Sequence, residues 1–102
     1  SNAATSGNIC DAVITLQPGD ITFPIMKRLC GSGLTVSEDE ALQAMAQAFS
    51  RLKLVAEPGG AIALASALNR SDQITGDDVI VVISGGNVDA ALFQTALSRF
   101  GV

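Results

Sequence analysis

Residues 79–83 read Val-Ile-Val-Val-Ile and run straight into Ser84-Gly85-Gly86-Asn87. An apolar run so short and unbroken is what a strand covered on both faces looks like. Such a strand demands neighbours, with other strands beside it and helices over its faces. The glycines that follow admit close approach of a backbone or a ligand. In open α/β sheets, ligands bind just beyond the carboxyl ends of strands. Ser84 and Gly85 are therefore the first candidate functional residues.

Other elements follow from local chemistry. Residues 4–8 are small and polar and read as a lead-in, and residues 11–16 as a short strand. Gln17-Pro18-Gly19-Asp20 has turn chemistry. Thr22 is then placed to cap a short helix through Cys30, with Pro24 in its first turn and Gly31 just past its end. Ile25, Met26 and Leu29 share the apolar face of that helix. Residues 34–36 read as a brief strand. Ser37 and Glu40 form a capping box for the helix that follows, and Glu38, Asp39 and Glu40 suit its positive end. These acids read as helix-start residues rather than a metal cluster. Leu42, Met45, Phe49 and Leu52 make one apolar stripe, with Arg51 and Lys53 at its far end.

Glu57-Pro58-Gly59-Gly60 breaks the chain, and residues 61–68 read as a helix that is apolar nearly all round. A helix of that kind is normally buried. Gly76-Asp77 marks a turn within a polar connection. A last helix is expected from about Asp89 to Arg99, with Leu92, Phe93, Ala96 and Phe100 inward. Alternating strands and helices predict an α/β fold, a short and mostly parallel sheet with flanking helices. Residues 79–83 and 61–68 are too apolar for the cover that 102 residues provide, so the expectation is part of a larger fold.

Composition narrows the partners. The formal charge is −4 with no basic stripe, which argues against nucleic acid and anionic membrane. No apolar stretch approaches the about 20 residues of a membrane helix. With no histidine and no close cysteine pair, Cys10 and Cys30 read as partly buried thiols of a cytosolic protein, not a zinc site. Ser1-Asn2-Ala3 reads as the remnant of a cleaved expression tag, leaving residues 4–102 as a single α/β segment.

Four stretches carry a resemblance: Asn8-Ile9-Cys10-Asp11-Ala12, Pro18-Gly19-Asp20-Ile21-Thr22-Phe23-Pro24-Ile25, Leu52-Lys53-Leu54-Val55-Ala56-Glu57-Pro58-Gly59-Gly60-Ala61 and Ser84-Gly85-Gly86-Asn87-Val88-Asp89. In this order and spacing the chain resembles the C-terminal part of serine/threonine dehydratases. These are pyridoxal-phosphate enzymes of the tryptophan-synthase-β fold type. The resemblance implies elimination of water from a hydroxy amino acid, giving a 2-oxo acid and ammonia. It also implies a Schiff-base lysine in a Ser-x-Lys-x-Arg-Gly setting and a phosphate loop of consecutive glycines. Neither occurs here: the lysines are Lys27 and Lys53, and the glycine pairs are Gly59-Gly60 and Gly85-Gly86. The expectation is therefore roughly the last third of a dehydratase, inactive alone, completed by a missing N-terminal part and forming a homo-oligomer.

In similar enzymes the serine matching Ser84 meets the cofactor's pyridine nitrogen, and the loop matching Glu57 lies near the pocket. The residues alone also allow Ser84 as an ordinary turn serine, Glu57 as a solvent-facing acid opening a helix, and Asn87 as a helix cap. Two other readings of the chain stay open. One is a stand-alone, non-enzymatic module that self-associates through exposed apolar surface. The other is a small anion-binding module at Gly85-Gly86.

Overall fold

A computed structural model describes residues 9–10 and 17–101. The strand expected at 11–16 and the lead-in at 4–8 lie outside the described residues. The elements are α1 (Thr22–Leu29), α2 (Glu38–Leu52), α3 (Ile62–Asn69) and α4 (Ala90–Phe100), with 3-10 turns at Gly59–Ala61 and Ser71–Gln73.

α2 is the centre, and both α3 and α4 pack on it. Its start follows from the sequence. Glu40 N–H donates to Ser37 Oγ at 3.1 Å, and Ser37 N–H donates to Glu40 Oε1 at 2.9 Å. Its end has a device the sequence does not advertise. Lys53 adopts the left-handed conformation (φ 59°), and its ammonium donates to the Ser50 carbonyl at 3.1 Å. That contact satisfies one of the carbonyls a helix end leaves unpaired.

The core is built from alanines. Leu42, Ala44, Met45, Ala56, Ala61, Ala65 and Ala96 form its buried cluster, and Met45 is the largest side chain fully shut from solvent. Small side chains let the three helix backbones approach closely. Leu92, Phe93 and Phe100 of α4 line this cluster as expected, and Ile83 and Val88 pack against it from the chain preceding α4. The rings of Phe49 and Phe93 meet edge to face at 5.4 Å, a favoured aromatic geometry. The expected α2 stripe holds at Leu42 and Met45, whereas Phe49 and Leu52 are exposed at its end.

The sheet does not appear. Among the described residues there is no strand, at 34–36 or at 79–83. The reason is physical: a strand exists only with a partner ladder, and no described segment pairs with either stretch. Ile80 is 92 % and Val82 66 % exposed, while Val81 and Ile83 are half-buried. The alternation is that of an extended chain resting one side on the helix layer. The molecule is 18 Å across its thinnest dimension, little more than one helix layer of about 10–12 Å with a covering. Nothing described lies on the other face of residues 79–83.

Further sequence expectations need correction. Thr22 is the first helical residue, and Ile21 stands at the cap position with no side-chain bond. Every residue from 21 to 30 is exposed, so the apolar face of α1 meets none of the described helices. α3, by contrast, is left incompletely enclosed, as expected of so apolar a helix in a chain this short: Ala65 is buried, but Ala63 and Leu68 are exposed. Asp89, not Asn87, occupies the N-cap of α4. Cys10 is buried and Cys30 exposed. The chain does bend at Gly76-Asp77 as expected, and Gly76 has a positive φ (98°).

Candidate functional site

Two loops that are distant in sequence meet at the Ser84 turn. Glu57 N–H donates to the Gly85 carbonyl at 3.0 Å. Ala61 N–H is shared between the Glu57 and Pro58 carbonyls, at 3.0 and 3.1 Å, which winds the 3-10 turn leading into α3. Ala56, Pro58 and Gly60 are buried, so this loop is anchored in the core. On the other side, Val88 N–H donates to the Gly86 carbonyl at 2.9 Å and redirects the chain toward α4.

The two loops are in contact through atoms rather than merely near one another. A Cβ on Gly60 would sit 2.8 Å from Gly85 N and closer still to the Gly85 carbonyl oxygen. A Cβ on Gly86 would overlap the Val55 carbonyl oxygen, and one on Gly85 would overlap the Glu57 carboxylate. The room left by the absent side chains of Gly85 and Gly86 is thus filled by residues 55–57. The structure brings together Glu57, Gly85 and Gly86, with Ser84 exposed at the adjoining position and Glu57 and Gly85 half-buried. Sequence reasoning missed Gly60. A signal was present: a glycine pair opening a helix, where Ser, Thr, Asn or Asp would be the usual cap.

The lysines stand elsewhere. Lys27 is exposed on α1, and Lys53 caps α2. The acids at the start of α2 are each engaged structurally. Glu38 accepts from Ile9 N–H at 3.0 Å, Asp39 pairs with Arg99 at 3.1 Å, and Glu40 takes a two-pronged contact from Arg70 at 2.8 Å for each bond. The Arg70 guanidinium, with help from the Ser37 backbone, holds the Glu40 carboxyl below the usual carboxylate range. No group of His, Cys, Asp and Glu suited to a metal ion occurs among the described residues. The anion-binding reading meets an acidic residue at the start of α4, since Asp89 stands at the N-cap position there, without a side-chain cap bond.

An exposed hydroxyl beside two glycines, backed by a buried loop, is a suitable donor set for one polar atom of a flat ring. The fit is to one edge of such a group. A phosphate-binding glycine run and a lysine in the expected setting are absent from the sequence. Comparison with known proteins gives the class. The model of the family described as pyridoxal-phosphate dependent enzyme matches residues 1–86, a span that ends on the glycine turn. The chain belongs to that family. Its likeness within the family is to serine/threonine dehydratases and their kin, and pyridoxal phosphate is the cofactor of the parent enzyme.

An L-threonine ammonia-lyase of Thermotoga maritima is 33 % identical over 91 residues, covering 89 % of this chain and 22 % of that protein. An L-threo-3-hydroxyaspartate ammonia-lyase of a Pseudomonas species is 36 % identical over 93 residues, covering 91 % and 29 %. A serine racemase of Dictyostelium discoideum is 37 % identical over 92 residues, covering 88 % and 28 %. The chain therefore spans about a quarter of the length of these relatives, somewhat less than the third expected. No helix among the described residues is long and apolar enough to cross a membrane.

Proposed function

We propose that this chain is the C-terminal segment of a pyridoxal-phosphate-dependent serine/threonine dehydratase, a cytosolic ammonia-lyase, and that it supplies one wall of the cofactor site. The observation that carries this reading is the seating of loop 55–60 on the turn that bears the exposed Ser84. When bound, pyridoxal phosphate withdraws electrons from the substrate α-carbon, so that the β-hydroxyl can leave and a 2-oxo acid and ammonia result. In this reading Ser84 hydrogen-bonds the ring nitrogen. A neutral hydroxyl does not force a proton onto that nitrogen as a carboxylate would. Gly85 keeps the adjoining backbone free of side chain, and Glu57 holds the turn through its amide while its carboxylate borders the pocket. The lysine and the phosphate loop come from the N-terminal part, so the segment alone does not turn over substrate.

The test is to join this segment to its N-terminal portion and measure 2-oxo acid release from L-serine and L-threonine. Release by the joined enzyme, and none by the segment, is the expected result. A cofactor-loaded enzyme that releases no 2-oxo acid removes the assignment.

A second reading is favoured by the apolar exposure of Ile21 (80 %), Leu29 (70 %) and Ile80 (92 %). In that reading the chain stands alone as a non-enzymatic module and buries these faces against a second copy of itself. Sedimentation of the purified chain separates the two, since a monodisperse monomer counts against the second.

A further inference from the structure

Loop 55–60 and turn 84–86 touch at glycines, but the contacts differ in kind. At Gly85 a methyl group would meet the Glu57 carboxylate, the end of a flexible side chain that can swing away. At Gly60 it would meet main chain: Gly85 N at 2.8 Å, the Gly85 carbonyl carbon at 3.2 Å, and the oxygen nearer than either. Those atoms cannot yield without moving the peptide that follows Ser84. Nor can Gly60 easily retreat. It is buried in the 3-10 turn Gly59–Ala61, and the next residue, Ala61, belongs to the core cluster. Backbone freedom is not what glycine supplies at this position, because Gly60 has no positive φ. What it supplies is the absence of a Cβ.

We propose that Gly60 is a positioning residue for the cofactor site. Its missing side chain seats the Gly85 peptide on the start of α3, and this sets where the Ser84 hydroxyl stands. Gly60 reaches the cofactor only through Gly85. The inference rests on the reading that Ser84 contacts the ring nitrogen, and the experiment keeps the two apart.

In the full-length, cofactor-loaded enzyme, Gly60→Ala is compared with Ser84→Ala and with Gly31→Ala, a glycine whose added methyl would have nothing within 4 Å. Gly60→Ala should shift the visible absorbance of the bound cofactor in the same direction as Ser84→Ala. It should also weaken cofactor retention in equilibrium dialysis by about tenfold, with Gly31→Ala unchanged within about twofold. If Ser84→Ala moves the absorbance and a folded Gly60→Ala does not, the positioning role is overturned and the Ser84 contact stands. If Ser84→Ala is itself silent, the contact is wrong and the proposal falls with it. Should Gly60→Ala fail to fold, hydrogen exchange of the Glu57 amide in the unaltered enzyme decides. Exchange only through global unfolding supports the clamp, whereas rapid exchange by local opening overturns it.

Discussion

α1 and α2 are both amphipathic, and only one of them has anything to lean on. α2 carries a capping box, lies between two other helices, and buries Ala41, Leu42, Ala44, Met45, Ala46 and Ala48. α1 has no side-chain cap and buries nothing. Periodicity makes each a helix with a side that wants cover. Whether cover exists is decided by segments elsewhere, and for α1 no described helix supplies it. Residues 79–83 repeat the point without being helical: Ile83 packs against the core and Val81 is half-buried, while Val79, Ile80 and Val82 are exposed.

The contrast can be broken most forcefully at Met45. Met45→Ala empties the largest fully buried side chain and should cost about 2–5 kcal/mol, read as a lower urea midpoint. An unchanged midpoint would mean that α2 is not the centre of the fold. A smaller loss, about 0.5–2 kcal/mol, should follow Ser37→Ala, because the Glu40 amide loses its acceptor. Far-ultraviolet circular dichroism on heating would register it as earlier melting of helix.

Acid should then reveal the tie between α2 and α3. Glu40 is held below its usual range chiefly by Arg70, so the pair adds stability above the ordinary glutamate range. That stability is lost as pH falls through the lowered value. Midpoints measured across this acid window should decline, and Glu40→Gln should flatten the decline while keeping the capping box. If both proteins decline alike, the pair contributes nothing to the pH response.

The smallest effect belongs to α1. Leu29→Ser, at a residue 70 % exposed, should alter the stability of this chain by no more than about 0.5 kcal/mol. A loss rivalling that of Met45→Ala would show that α1 is docked after all. The same change in the full-length enzyme should cost far more if the N-terminal part covers α1.

Local features were legible in the sequence. The Ser37–Glu40 box, the inward face of α4 and the turn at Gly76 were all readable, because each depends on residues a few positions apart. The strand at 79–83 was not decidable in this way. Its apolar residues record a need for neighbours, and the hydrogen-bonding partner of a strand is written in another part of a chain. The site was half legible. Ser84, Gly85 and Glu57 stood out as residue types in a turn and beside a Pro-Gly break. The contact of Gly60 with the Gly85 peptide was invisible, since a missing side chain has no periodicity and its partner lies 25 residues away. Lys53 in a left-handed conformation was likewise hidden, because nothing about a lysine advertises it.

One turn of helix acts as a junction. Glu38 holds the Ile9 amide, Asp39 holds Arg99 from α4, and Glu40 holds Arg70 beyond α3. Fraying of that turn would break its contacts with Ile9, Arg70 and Arg99 together. The corner should therefore come apart as one cooperative unit, its amides losing protection in concert rather than one contact at a time.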